Sequence, residues 1–112
     1  MILIYDGSFE TFLSLVYDVY YKKIKVSKIL REKPQSLLFE ELLSVNFDEE
    51  KSQKVLQALK KQFSKKNYER IFHIFMCDSK EFELDLLHYI ITGFKEQKEL
   101  DNINLEYIFN LH

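Results

Sequence analysis

Three histidines, one cysteine and 18 acidic residues are the side chains of this sequence that could do chemistry. Their spacing argues against convergence. His73 and His88 stand fifteen residues apart on segments read as different helices, and His112 is terminal. A metal site needs ligands at defined spacing, and neither an HExxH pattern nor a Cys/His cluster occurs. Cys77 lies near the end of a predicted helix, where the dipole raises a thiol pKa, so it reads as a small core filler and not as a nucleophile. Glu40-Glu41 and Glu49-Glu50 are adjacent pairs. Neighbouring residues project in different directions on a helix or a strand, so neither pair makes an acid–base couple.

Two segments could bind without catalysing. Lys60, Lys61, Lys65 and Lys66 form the densest basic cluster, with Tyr68 and Arg70 close behind. Such a cluster could contact phosphates, or it could be a solvated corner between two helices. Tyr5-Asp6-Gly7-Ser8 places a glycine between a strand and a helix, where the backbone can approach a ligand and a helix start can hold an anion. It lacks the further glycines of a dinucleotide-binding loop and the Gly-Lys-Ser/Thr ending of a P-loop. A tight turn followed by a helix cap is the stronger reading of the same residues. Catalytic, cofactor-binding and metal-binding residues are therefore assigned to none of the chain.

The elements that must position these groups follow from periodicity. Ile2-Leu3-Ile4-Tyr5 is short and β-branched and stops at Asp6-Gly7, as a strand ending in a turn does. Ser8 can cap a helix in which Phe9, Phe12, Leu13, Val16, Val19 and Tyr20 recur at helical spacing. Between Ile24 and Phe47, Ile24, Val26 and Ile29-Leu30 suggest a strand. Pro34 breaks the pattern, and Leu37–Phe47 suggests another strand, with a helical turn over Leu38–Leu43 as the alternative. Asp48 caps a second helix with Val55, Leu56, Leu59 and Phe63 inward. Ser64 opens a third with Tyr68, Ile71, Phe72 and Phe75 inward. Asp78 and Glu81 have capping-box spacing before a helix through Phe82, Leu86, Leu87, Ile90, Ile91 and Phe94. Asn104 caps a last segment, Leu105–Leu111. The expected fold class is α+β, predominantly helical: a short N-terminal strand and small sheet packed with about four to five helices.

A chain of 112 residues is expected to form a single domain, residues 1–112, long enough to bury a core without disulfide or metal staples. Ten Phe and seven Tyr, with no Trp, supply much of that core. Sixteen basic and 18 acidic residues leave a net charge of −2, against tight autonomous binding to DNA. The lone cysteine fits a reducing compartment. The start of the chain lacks the pattern of a signal peptide, and no run of residues approaches a membrane span, so a soluble cytoplasmic protein is expected.

The first ten residues, Met1-Ile2-Leu3-Ile4-Tyr5-Asp6-Gly7-Ser8-Phe9-Glu10, lead into an aromatic-rich helix. In this the sequence resembles the opening of a bacterial family described as probable DNA metabolism proteins. Ser36-Leu37-Leu38-Phe39-Glu40-Glu41, Asp48-Glu49-Glu50-Lys51, and Leu86-Leu87-His88-Tyr89-Ile90 leading to Gly93-Phe94-Lys95 are similar to further stretches of that family. Its members are typically encoded beside a radical S-adenosylmethionine protein thought to modify or repair DNA, and some are fused to a uracil-DNA-glycosylase-like domain. They usually continue into a basic C-terminal segment. This chain ends at Asn110-Leu111-His112, before that segment, so the resemblance implies the N-terminal part of a longer protein or a short member. It implies an accessory module of a DNA modification or repair system, partnered by a radical S-adenosylmethionine protein. DNA would then be contacted weakly, through the partner, or through the missing segment. With one cysteine, any iron–sulfur chemistry would belong to the partner. The alternative reading is a helical protein-interaction domain with no direct nucleic-acid role. A small hydrolase or glycosylase is less favoured, because no converging acid, base and nucleophile can be named.

Overall fold

Three short strands and four helices are present in the computed structural model, which describes residues 1–34, 40–77 and 82–95. They run in the order β1 (Ile2–Ile4), α1 (Phe9–Lys22), β2 (Lys28–Leu30), β3 (Leu42–Ser44), α2 (Glu49–Gln62), α3 (Lys65–Met76) and α4 (Glu83–Lys95). The fold is mixed α+β and predominantly helical. The expected capping box at Asp78 and Glu81 and the segment Leu105–Leu111 lie outside the described residues. The chain divides into two units, Met1–Leu56 and Gln57–His112, with the boundary inside α2. No helix among the described residues is long and apolar enough to cross a membrane.

In the first unit the strands form one parallel sheet in the order β2-β1-β3. Parallel neighbours require a crossover, and α1 provides it between β1 and β2. Leu3 stands opposite both Ile29 and Leu43 in the register. Alternation along the strand puts Tyr5 on the same face as Leu3, and its ring lies 6.0 Å from that of Phe12 on α1. Leu3, Tyr5 and Phe12 are all buried, as are Leu15, Val16 and Val19. Burying rings and branched side chains in this way supplies roughly 1.5–3 kcal/mol for each large residue.

Helix α1 begins where Ser8 accepts a hydrogen bond from the Thr11 amide (3.2 Å). It ends at Lys23, which is left-handed at φ 52°. The amides of both Lys23 and Ile24 return to the Val19 carbonyl. Ile24 therefore closes the helix instead of starting a strand, and β2 is confined to Lys28–Leu30. Leu42 and Leu43, which also tolerated a helical turn, lie in β3.

α1 is buried on a second, polar side that its apolar spacing does not announce: Thr11, Ser14 and Asp18 are buried too. Ser14 and Ser52 hydroxyls meet at 2.6 Å, and Ser52 donates to the Glu10 carbonyl (2.6 Å). The Asp48 amide donates to Ser14 Oγ (3.0 Å), and the Lys51 ammonium donates to Asp18 Oδ1 (2.8 Å). Small hydroxyl side chains let the start of α2 approach α1 closely while leaving these polar groups bonded. Asp48 also caps α2, accepting from the Lys51 amide at 2.9 Å.

In the second unit, Leu59 and Phe63, Ile71 and Phe75, and Phe82, Leu86, Leu87, Tyr89 and Ile90 are buried. Phe63 meets Tyr89 and Phe94 edge-on, each at 5.8 Å, and Phe75 meets Phe82 at 5.4 Å, the edge-to-face geometry that ring quadrupoles favour. Ser64 caps α3 by accepting from the Asn67 amide (3.1 Å). Phe72 corrects one expectation: it is 44% exposed. Ile71 and Phe75, one turn apart, take the inward stripe of α3, and Phe72 lies about 100° round the helix from Ile71. Leu56 and Ile91 are half-buried, not fully enclosed. Cys77 is exposed at the end of α3 and is not a core filler.

Candidate functional site

The strand-to-helix turn Tyr5–Ser8 is built around the Asp6 carboxylate. Gly7 has φ +88°, a backbone region costly to residues with a Cβ. That conformation turns Ser8 back so that its amide donates to Asp6 Oδ1 (2.8 Å). The Thr11 hydroxyl donates to Asp6 Oδ2 (3.0 Å). The Ser8 hydroxyl lies 2.8 Å from both Asp6 Oδ1 and Thr11 Oγ1. It has one proton to give, and the charged acceptor, Asp6, makes the stronger bond.

The Ser8 amide is the main reason that Asp6 titrates below its ordinary value; desolvation opposes it, and the Ser8 and Thr11 hydroxyls add to the lowering. A charged carboxylate thus sits at the start of α1, where the helix dipole favours an anion. The turn satisfies its own demand for negative charge, and a phosphate approaching it would meet that carboxylate first. Tyr5 is buried, and its amide bonds the Leu30 carbonyl (3.0 Å), so its ring offers no surface to a partner. The side chain of Arg31, at the end of β2, lies over Gly7: a Cβ built there would fall 3.3 Å from Arg31 Cδ. Thr11 and Arg31 complete the turn, and the sequence reading named neither. Thr11, one turn after a Ser cap, carried a local signal; Arg31, brought in by strand pairing, carried none.

Lys60, Lys61, Lys65 and Lys66 lie at the junction of α2 and α3, and all four are exposed. The Lys60 ammonium stands 5.9 Å from the centre of the Tyr68 ring, a cation–π distance. Among the described residues, no ion pair joins any of the four to a carboxylate. Lys60 and Lys61 close the last turn of α2, where the dipole favours cations. Lys65 and Lys66 open α3, whose first turn has no acidic residue, and there the same effect opposes them.

The remaining titratable candidates stay apart. His73 and His88 are exposed on α3 and α4. Cys77 Sγ lies 3.5 Å from His73 Nε2, one turn away. No group of three or more metal-ligating side chains occurs among the described residues. Glu49 and Glu50 open α2, with Glu50 paired to Lys54 (3.2 Å). Glu40 accepts from the Ser27 hydroxyl, which holds its carboxyl below the ordinary range.

Beside these groups, α3 exposes apolar surface: Phe72 and Met76, one turn apart, are 44% and 54% exposed. Lys65 falls on the same side of the helix by its spacing. No family model matches the chain, and neither curated proteins nor solved structures give a match.

Proposed function

We propose that the chain is an accessory module of a DNA modification or repair system, working through association with a radical S-adenosylmethionine protein and not as an independent enzyme. The observation that carries this reading is the outer side of α3, where Phe72 and Met76 expose apolar surface one turn apart. Exposed apolar side chains are individually ordinary, but a Phe and a Met in line on one helix make an adhesive strip of the kind partner proteins bury. The likeness of the first ten residues to the DNA metabolism family supports a radical S-adenosylmethionine protein as the partner. The Asp6 turn supports the non-catalytic part of the reading, since its carboxylate is committed to Ser8 and Thr11.

Co-expression with a radical S-adenosylmethionine protein of the kind encoded beside members of the resembled family, followed by co-purification, tests the proposal. The two proteins should purify together, and Phe72→Glu with Met76→Glu should reduce recovery at least tenfold while the thermal melt holds. Absence of any association would refute the reading. The alternative, an interaction domain with no role at nucleic acid, draws on the same strip and expects a partner unconnected with DNA chemistry.

A further inference from the structure

We infer that the lysine corner between α2 and α3 is a docking surface for the phosphate backbone of DNA, contacted without regard to sequence. This rests on the accessory reading above, and deepens it by assigning the nucleic-acid contact to this chain. Residues 57–77 contain five basic side chains (Lys60, Lys61, Lys65, Lys66 and Arg70) and one acidic side chain, Glu69, for a local net charge of +4 within a chain whose net charge is −2. The charge is concentrated, its four lysines are exposed while Arg70 is half-buried, and none of the five has a carboxylate partner among the described residues.

Folding explains only half of it. Lys60 and Lys61 complement the end of α2, but Lys65 and Lys66 add positive charge to the start of α3, where it opposes the helix dipole. A local rule broken without a structural return marks a surface shaped by what it binds. Four flexible ammonium groups on the outside of a helical corner are suited to phosphate oxygens, because a lysine acts as a point charge and reads no base edge. DNA is favoured over an anionic membrane because Tyr68, beside the cluster, is held against the Lys60 ammonium instead of standing clear as an insertion anchor.

Counterion release makes the proposal quantitative. Neutralising four phosphates gives a slope of log K against log salt of about −3.6, so affinity should fall roughly 150-fold between 50 and 200 mM salt. Such binding is weak at physiological salt and measurable below it, in keeping with the acidic balance of the whole chain.

The test is fluorescence anisotropy with a labelled duplex of arbitrary sequence, using the full chain and K60Q/K61Q/K65Q/K66Q. The full chain should bind at 50 mM salt with a slope between about −3 and −4. The quadruple variant should lose at least tenfold in affinity and most of the slope, with an unchanged thermal melt. No binding by the full chain at 50 mM salt, or equal binding by the variant, overturns the inference. Stronger lysine-dependent binding to phosphatidylserine vesicles than to DNA at equal salt also overturns it, in favour of a membrane surface. Co-purification separates the two proposals: if lysine-dependent DNA binding fails while the partner is retained, this inference falls and the accessory reading stands. If partner association fails while lysine-dependent DNA binding persists, the reverse holds.

Discussion

Replacing Asp6 by Asn removes the negative charge that organises the β1–α1 turn and changes little else in shape. In the native turn the carboxylate accepts from the Ser8 amide (2.8 Å), the Ser8 hydroxyl (2.8 Å) and the Thr11 hydroxyl (3.0 Å). The Asn carbonyl can still accept from Ser8, but its amide nitrogen then faces Thr11 Oγ1, which must turn its proton elsewhere. The Thr11 bond is kept only with its direction reversed, the Asn nitrogen donating to Thr11 Oγ1, and none of the bonds is charge-assisted any longer. Hydrogen bonds to charged groups contribute about 1.5–3 kcal/mol each, and Asp6 is exposed, so solvent screening reduces the expected total loss to roughly 1–2 kcal/mol.

The pH dependence is diagnostic. Asp6 is held below its ordinary value of 3.8, chiefly by the Ser8 amide. A carboxyl depressed in the folded state contributes its stability above the unfolded value and loses it as pH falls through the folded one. Urea denaturation of both proteins, followed by circular dichroism at about pH 7 and again near pH 2.5, measures this, because the other carboxylates titrate alike in the two proteins. The gap between wild type and Asp6→Asn should be roughly 1–2 kcal/mol at neutral pH and should narrow in acid. A neutral-pH gap below about 0.5 kcal/mol, within the range of ordinary surface substitutions, would refute the role given to the carboxylate. So would a gap that is the same at both pH values.

Three further substitutions test the backbone and the core. Gly7→Val should cost about 1–3 kcal/mol, through the positive φ more than through Arg31, whose flexible side chain can move; a thermal melt equal to wild type would show that the turn rearranges freely. Phe75→Ala should cost about 3–5 kcal/mol and Phe72→Ala less than about 1 kcal/mol, and equal losses on chemical denaturation would contradict the orientation of α3.

How much was legible in the sequence depends on how far apart the interacting residues lie. The caps at Ser8, Asp48 and Ser64 each join a side chain to an amide three residues on, and Gly7 lies where a strand must turn into a helix. Interactions of such short range are written in residue order, so they could be read directly. The basic cluster was legible in the same way, as four lysines within seven positions, but their exposure and their lack of carboxylate partners among the described residues were not.

Only the tertiary structure decided the rest. Parallel pairing and the order β2-β1-β3 bring Arg31 to Gly7 and Leu43 beside Leu3, and no local pattern encodes strand order. Ser14 with Ser52 and Asp18 with Lys51 are 38 and 33 residues apart, and a polar side buried against a second helix leaves no mark in the hydrophobic period. In α3, the run Ile71-Phe72-His73-Ile74-Phe75 offers more than one apolar stripe at helical spacing. Burial of Ile71 and Phe75, with Phe75 set against Phe82, decides which side turns inward and leaves Phe72 and Met76 outside. Helical spacing specifies that apolar residues share a side; the partner surface, assembled from distant parts of the chain, selects which side is covered.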